Sequence, residues 1–600
     1  LIALLVAIVT YGVGYWHWYL GTPLGRAPQL DAAENLVLAG KIATGTLPHE
    51  PFYRAMFYPA VLAVPLKLGV STENLPAIAS IFGLFCHFAI TLGVARLAAR
   101  LWLGPREKLA AWFAAALWGF NPVALFYAMD VLDTVPSLAL AVWALVWWSH
   151  RGQRKMDALM GGVLLGLAVA ARPHFLPMVF IAPIIRGWLS GRWKLQGPDA
   201  VAWVGAAVVL LLLGMVQVGW SGQFCILPAQ GPYNFYAANR PGANGRYYTQ
   251  QIYFDQLAPG ENPAQKEEAI LYAKVHLLNS SPESFYWNQR ALSSIRDNPS
   301  GWLKLMAKKT YYLLNNFDQY NNKTFAWHQA ESPWMRWNFL GWGILLVLSV
   351  GVLTLRGGGQ QTLATDFNCP ILAGVMLTFG TYAAGVLLYY ASGRFRLPLT
   401  PLLCVIAGGW VYWPGREIVG AKKTAIIVLI MFLTSLFTFS NFFHARDEST
   451  FIQDELLSAN AAAQIGADAQ AYRFSVMANE CDPARVDAQR ILAASYFNLS
   501  LAAEKGFDTM DGWKRLAEKI KSAHASDSAL FYLYYVALWK SGQQDAAEKG
   551  WEEGVAQYGL KSTSAQALGA AKILHHEPVD SSLPTPDPAL VKFLDTLHGF

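Results

Sequence analysis

The residues able to do chemistry in this 600-residue chain are few, and they fall in short stretches between long apolar runs. The first stretch is QLDAAENLVLAGKIATG, in which Asp31 and Glu34 stand three apart and Gly45 follows. An Asp at a helix N-cap accepts backbone N–H bonds and an acid at N3 returns one, so the spacing predicts a helix that starts at Asp31 and ends at Gly45. His49 and Arg54 come close behind, and on a solvated loop each reads as an ordinary polar surface group. FYAMDVLDTVP places Asp130 and Asp133 where one apolar run ends, and Asp-Thr-Val-Pro is a good start for the next helix. Arg172, in ARPHFLP, lies at a turn between two apolar runs, where a long cationic side chain can also snorkel to the interface. QGPYNFYAANRPG presents Asn234, Tyr236 and Asn239, readable as polar ligands or as a tight Asn/Gly turn beside an aromatic plug. KKTYYLLNNFDQYNN holds Lys309 and Asp318, and SGRFRLPLTP opens another apolar run with Arg394 and Arg396, which can hold an oxyanion or anchor a helix to headgroups. No His/Cys cluster has metal-ligand spacing, and no βαβ unit or Gly-rich loop for nucleotide phosphates is present.

The elements that must position these residues are membrane helices. A composition 54% hydrophobic and only 14% charged excludes a single soluble domain, whose surface needs roughly a quarter of its residues charged. Runs such as 199–220 and 424–442 are each about the ~20 residues that cross ~30 Å of hydrocarbon. Trp and Tyr gather at the ends of the runs, as at Tyr15–Tyr19 and Trp334–Trp342, where amphipathic rings favour the interface. The expected spans are 1–20, 76–103, 109–128, 134–149, 158–171, 173–189, 199–220, 337–355, 369–391, 398–413 and 424–442, about eleven in all. The chain opens at Leu1 in an apolar helix without an initiator Met, so a short preceding stretch is expected, and this helix reads as a span instead of a cleaved signal. The net charge of +6 is modest and spread between the runs, which makes nucleic acid an unlikely partner. Of the five cysteines, Cys86 and Cys404 lie in apolar runs and Cys225 and Cys481 in polar stretches, so at most one disulfide and no zinc site are expected.

The basic connections at 104–108, 150–155, 186–194, Arg356 and 415–423 share one side, the cytoplasmic one, if the stretch 55–70 does not cross. Pro59 and Pro65 interrupt that stretch, and a helix lying in the interface is the expectation. The outer side then receives loop 21–75, loop 221–336 and the tail. Loop 221–336 carries helix-like stretches at 263–279 and 299–314. Residues 1–443 are expected to form the membrane domain and 444–600 a soluble all-α domain. Within it, 531–557 resembles one tetratricopeptide helix pair and offers a surface for a protein partner.

With these residues in place, the chain resembles a known family. An Asp after the first span, A-x-x-I-A-x-G-like spacing, and a Phe-Tyr-x-x-x-x-Tyr-Pro stretch are similar to the lipid-sugar-dependent membrane glycosyltransferases of the GT-C fold. Within them the chain looks most like the bacterial protein mannosyltransferase-like group (glycosyltransferase family 39-like) with a tetratricopeptide-type tail. Met56 departs from the Pro that relatives commonly carry there, Leu314 from a frequent Trp, and Asp318 from the usual Glu. The resemblance implies Asp31 as the catalytic base. It implies Glu34, Arg54, Asp130, Arg172, Asn234, Tyr236, Asn239, Lys309, Asp318, Arg394 and Arg396 as substrate-binding residues, with the arginines on phosphate. Asp133 keeps its plainer reading as a helix start.

The reaction so implied moves a sugar from a polyprenyl-phosphate carrier to an acceptor hydroxyl on the outer face of a bacterial cytoplasmic membrane, with inversion at the anomeric carbon. The lipid-linked sugar is the donor substrate, the acceptor is a protein, lipid or glycan, and no cofactor or metal is demanded. Two rivals stand beside it: a lipid-sugar transporter or flippase, and an inactive membrane scaffold that displays the tail. Transporters place ionisable groups near the midplane and often repeat their halves, whereas these charges fall at helix ends and no repeat is visible.

Overall fold

The computed structural model describes residues 2–47, 49, 51–150, 154–246, 283–356, 368–413, 420–524, 527–547 and 549–550. The expected helix-like stretch at 263–279, parts of the basic connections at 150–155 and 415–423, and the end of the 531–557 pair lie outside them. Among the described residues the fold is helical throughout, with isolated bridges and no strand.

Among the described residues six helices are long and apolar enough to cross a membrane: Ile2–Leu20, Thr72–Leu101, Gly197–Ser221, Cys369–Leu388, Gly393–Tyr412 and Ala421–Phe439. Glu107–Gly119 and Pro122–Met129 make a seventh if this pair, bent by 54° at Asn121, is one span. The chain is a multi-pass membrane protein. The remaining four expected spans are shorter or broken. Thr134–Trp148, Lys155–Ala171 and Trp342–Arg356 have 15, 17 and 15 residues. At 1.5 Å per residue these reach only ~22–26 Å. The stretch 173–189 is broken at Ile181 into the helices Leu176–Phe180 and Ala182–Leu189, each opening with a proline in its first turn. Phe57–Lys67, with Pro65 inside it, has 11 residues and spans ~16 Å, too short to cross.

The described residues divide into two compact units. One holds those of 1–19, 31–249 and 266–448, the other those of 20–30 and 449–600. Leu211, Leu212, Met215 and Val216 on one helix of the first unit, and Leu429, Phe432, Leu433 and Leu436 on another, stand exposed. A helix apolar on its outer face is solvated by lipid, not by water. The helices pack closely where a glycine allows it. A Cβ on Gly83 would lie 1.8 Å from the carbonyl oxygen of Ala128, so this glycine lets the Pro122–Met129 helix, which delivers Asp130, lie against the Thr72–Leu101 span.

The second unit is built from Phe451–Gln464, Asp468–Cys481, Val486–Leu501, Met510–Ile520 and Ser528–Lys540 around a core including Leu492, Phe497, Trp513, Leu516, Ile520 and Tyr532. The units change over at 448–449, a few residues beyond the expected 443, and residues 20–30 join the second. Leu24 and Leu30 pack with Leu457 and Ala461, and Gln29 Nε2 donates to Gln464 Oε1 at 2.8 Å. Composition gives no hint of this, because residues 20–30 read as an ordinary loop.

Candidate functional site

The helix Asp31–Thr44 begins at Asp31, and Gly45, with φ of +72°, ends it. The residue before it, Leu30, has φ of 53°, a left-handed conformation that costs an L-residue roughly 1–2 kcal/mol. Asp31 is buried, and both of its carboxylate oxygens face guanidiniums. Oδ1 accepts from Arg54 Nη1 at 2.7 Å and Oδ2 from Arg394 Nη1 at 2.6 Å. The side chain of Asn322 adds a further hydrogen bond. Burial by itself would raise the Asp31 carboxyl, but Arg54 and Arg394 outweigh it and hold it well below the usual carboxylate range. Arg54 also reaches Glu34 Oε2 through Nη2 at 2.7 Å, so the two acids spaced three apart share one guanidinium.

Arg394 lies at the start of the Gly393–Tyr412 helix and is nearly buried. Its Nη1 serves Asp31 and approaches Asn321 Oδ1 at 3.5 Å, Nη2 pairs with Asp133 Oδ1 at 2.5 Å, and Nε donates to Thr134 Oγ1 at 2.9 Å. Asp133 occupies the N-cap position of the Thr134–Trp148 helix, yet its side chain makes no capping bond; it is turned onto Arg394. Burial raises the Asp133 carboxyl, but the neighbouring guanidiniums of Arg394 and Arg172 bring it below its ordinary value.

Arg172 is buried at 2% exposure in the turn after Lys155–Ala171, its guanidinium carbon 5.0 Å from the centre of the Phe395 ring. Its Nη1 has no hydrogen-bond partner among the described residues. His174 stacks on the same ring at 4.6 Å. Three acids, Asp31, Glu34 and Asp133, thus share Arg54 and Arg394. Arg172 is a third guanidinium beside them with a donor still unmet.

Asp130 is brought to a different partner. Its Oδ1 lies 2.9 Å from Lys323 Nζ, both side chains 3% exposed, and the ammonium stands 5.9 Å from the ring centres of Tyr19 and Phe126. The segment 318–323 therefore supplies Asn321 to Arg394, Asn322 to Asp31 and Lys323 to Asp130. Of these three the sequence offers only the Asn pair, which follows Asp318 as in the family it resembles, and assigns it no role; Lys323, Thr134 and His174 carry no such signal. The available signal was the Asn-Asn pair: Asn322 adopts φ of 66°, a conformation Asn tolerates better than most residues.

Other candidates lie in different surroundings. Arg396 Nη2 pairs with Asp318 Oδ1 at 2.5 Å, its Nη1 donates to the carbonyls of Asn315 and Leu313, and its guanidinium lies 4.9 Å from the Trp342 ring centre. It closes the C-terminal end of the Pro299–Leu314 helix, whose last carbonyls lack intrahelical partners. A Cβ on Gly393 would come within 2.8 Å of Asp318 Oδ1, so the glycine admits that acid. Lys309 is brought to Asn239 Oδ1 at 3.3 Å, and burial pushes its ammonium down to about 7. Asn239 itself donates to the carbonyls of Phe235 and Leu388. On the same helix, Gln230–Asn239, Asn234 is half-buried and Tyr236 packs 5.3 Å from Trp287. His49 stacks on Trp220 at 4.6 Å.

This separation of the two arginines makes a prediction. Arg396→Met should destabilise the protein, because it strands Asp318 in a buried site, a loss of about 3–5 kcal/mol, and Arg396→Met with Asp318→Leu should recover most of it. Thermal unfolding in detergent checks the pair.

No protein-family model matches the sequence, and no curated protein matches it. Among solved structures, the chain is similar to the archaeal oligosaccharyltransferase AglB from Archaeoglobus fulgidus in complex with an inhibitory peptide and a dolichol-phosphate. The identity is 13% and the TM-score 0.37, with 73% of this chain and 55% of that chain covered. The chain thus spans about half the length of that protein. At that score the likeness decides nothing about the reaction of this chain.

Proposed function

We propose that this protein is a membrane glycosyltransferase of the GT-C type that moves a sugar from a polyprenyl-phosphate carrier to an acceptor hydroxyl, with inversion. One observation carries the reading: a buried carboxylate, Asp31, shares the guanidinium of Arg394 with Asp133, beside a second buried guanidinium, Arg172, that still has a donor to give. A carboxylate next to cations with spare donors suits a reaction in which a proton is taken up while negative charge grows on a departing phosphate.

In the proposed step the acceptor oxygen attacks the anomeric carbon from the side opposite the phosphate and its proton passes to Asp31. The bond from the anomeric carbon to the phosphate oxygen breaks, and its electron pair leaves with the polyprenyl phosphate. Arg394 and Arg172 hold the phosphate oxygens as charge develops on them. Glu34 keeps Arg54 against Asp31, while Asp130 with Lys323, and Asp318 with Arg396, brace the walls. Asn234 and Tyr236, beside Trp287, are assigned to sugar or acceptor hydroxyls, and Asn239 with Lys309 supports their helix.

The test is to incubate purified protein with a panel of polyprenyl-phosphate sugars and a range of acceptors. Consumption of one donor with release of polyprenyl phosphate is the expected result, and turnover of none would sink the proposal in favour of a transporter or scaffold. We place the site on the periplasmic side of a bacterial cytoplasmic membrane, with the tail on the same side and a protein partner as its ligand. A reporter active only outside the cytoplasm should therefore work when fused after residue 470 and be silent near Lys155 and Lys423. Activity at Lys155 would reverse the orientation.

A further inference from the structure

Asp133 is the acid in the cluster that the reaction leaves without a task. It stands at a helix start without capping it, and its ion pair among the described residues is with Arg394. Asp31, by contrast, has two guanidiniums and keeps Arg54 if Arg394 departs. The two acids also hold Arg394 differently. Asp133 and Thr134 take Nη2 and Nε, whereas Asp31 takes Nη1 alone. A phosphate oxygen arriving at Nη1 therefore competes with Asp31 Oδ2, while the guanidinium stays anchored through its other nitrogens.

We propose that Asp133 is a positioning residue: it anchors Arg394 while Asp31 yields that guanidinium to the donor phosphate, so that the base is released only when a donor is bound. This rests on the reaction proposed above and deepens it. A carboxylate clamped by Arg54 and Arg394 is a poor proton acceptor, and the loss of one cation partner raises its basicity. The charged and titratable groups around the pair are Arg54 from the 51–56 segment, Glu34 on the Asp31 helix, and Arg394. Arg172 and His174 from one turn, and Tyr58 and Tyr382 from two other elements, face Asp133. Of these, Arg394 is the one in contact with both acids. Without Asp133 its guanidinium would settle on Asp31, and the incoming phosphate would have to strip it away.

The experiment follows Asp31 itself. Wild type, Asp133→Asn and Asp133→Glu, in lipid nanodiscs, are titrated from neutral to acid pH by infrared difference spectroscopy, with and without polyprenyl phosphate; Asp31→Asn identifies the Asp31 band. Asn caps a helix about as well as Asp, so Asp133→Asn isolates the charge. In wild type, polyprenyl phosphate should raise the titration point of Asp31 by at least about one unit, tenfold in proton affinity. The shift should persist in Asp133→Glu and be lost in Asp133→Asn. An equal shift in wild type and Asp133→Asn, or binding of polyprenyl phosphate with no shift in wild type, would overturn the role of Asp133 alone. Absence of binding would overturn the proposed reaction as well, whereas the shift without sugar transfer would overturn only that reaction.

Discussion

Asp31→Asn should lose at least about a hundredfold in sugar transfer while the protein remains folded in the membrane. Asn starts a helix about as well as Asp, so the Asp31–Thr44 helix should form and protein level should change little. The amide cannot accept the acceptor's proton. Arg54 keeps Glu34 and Arg394 keeps Asp133 as partners, so neither guanidinium is stranded. The geometry adds a second expectation. With the carboxylate gone, Arg394 Nη1 no longer has a competing acid, and polyprenyl phosphate should bind as tightly as in the parent or more tightly. Asp31→Glu, with a base displaced by one methylene, should be impaired but less so than Asn. Transfer at the parental rate by the Asn variant, at normal expression, would reduce Asp31 to a helix start.

Removing the guanidinium that joins the acids should cost both folding and donor use. Arg394→Ala leaves Asp133 without its ion pair, Asp31 with one guanidinium, that of Arg54, in place of two, and Thr134 Oγ1 without its donor, all in a buried site. Breaking a buried pair by deleting one partner typically costs about 3–5 kcal/mol. Loss of a charge-assisted bond to phosphate adds about 1.5–3 kcal/mol in binding, roughly ten- to a hundredfold. Arg394→Lys keeps the charge, but an ammonium cannot serve Asp31, Asp133 and Thr134 from three separate nitrogens, so it should recover only part of either loss. The measurements are unfolding midpoint and donor titration on the same samples. Parental values of both for Arg394→Ala would remove Arg394 from the site.

The two arginines of SGRFRLPLTP show where sequence reasoning reached its limit. Two residues apart, they look equivalent, yet Arg394 enters the acid cluster and Arg396 closes a helix end. The deciding partners, Asp31 and Asp133, are 363 and 261 residues away in the chain, and no local spacing carries that information. Local signals fared better. The helix begins at Asp31 and stops at Gly45 as the spacing predicts, the stop through glycine's tolerance of positive φ, while the carboxylates of Asp31 and Glu34 are engaged by guanidiniums. The shortness of the helix Phe57–Lys67 is consistent with its prolines. Asp133 misleads in an instructive way, because its position is that of a cap while its side chain is used elsewhere. Lys323 gave no signal, since a lone Lys in a polar loop looks like a solvated charge until Asp130 is placed 2.9 Å from it. The span count exceeds what individual helices satisfy because hydropathy sees an apolar run and does not see a bend at Asn121 or a break at Ile181.

The packing of Leu24, Leu30 and Gln29 with the helix Phe451–Gln464 sets an order of events during synthesis. Gln29 and Gln464 are 435 residues apart. A ribosome adding roughly 5–20 residues per second needs about 20 to 90 seconds to cover that interval. For that time the segment leading into Asp31 is already outside the ribosome but has none of the neighbours that fix it in the finished chain. The membrane helices can be inserted one after another in the meantime, yet the packing of residues 24–30 is completed only when Phe451–Gln464 emerges. A nascent or prematurely terminated copy therefore carries every residue of the acid cluster while Leu24, Leu30 and Gln29 still lack their partners on Phe451–Gln464.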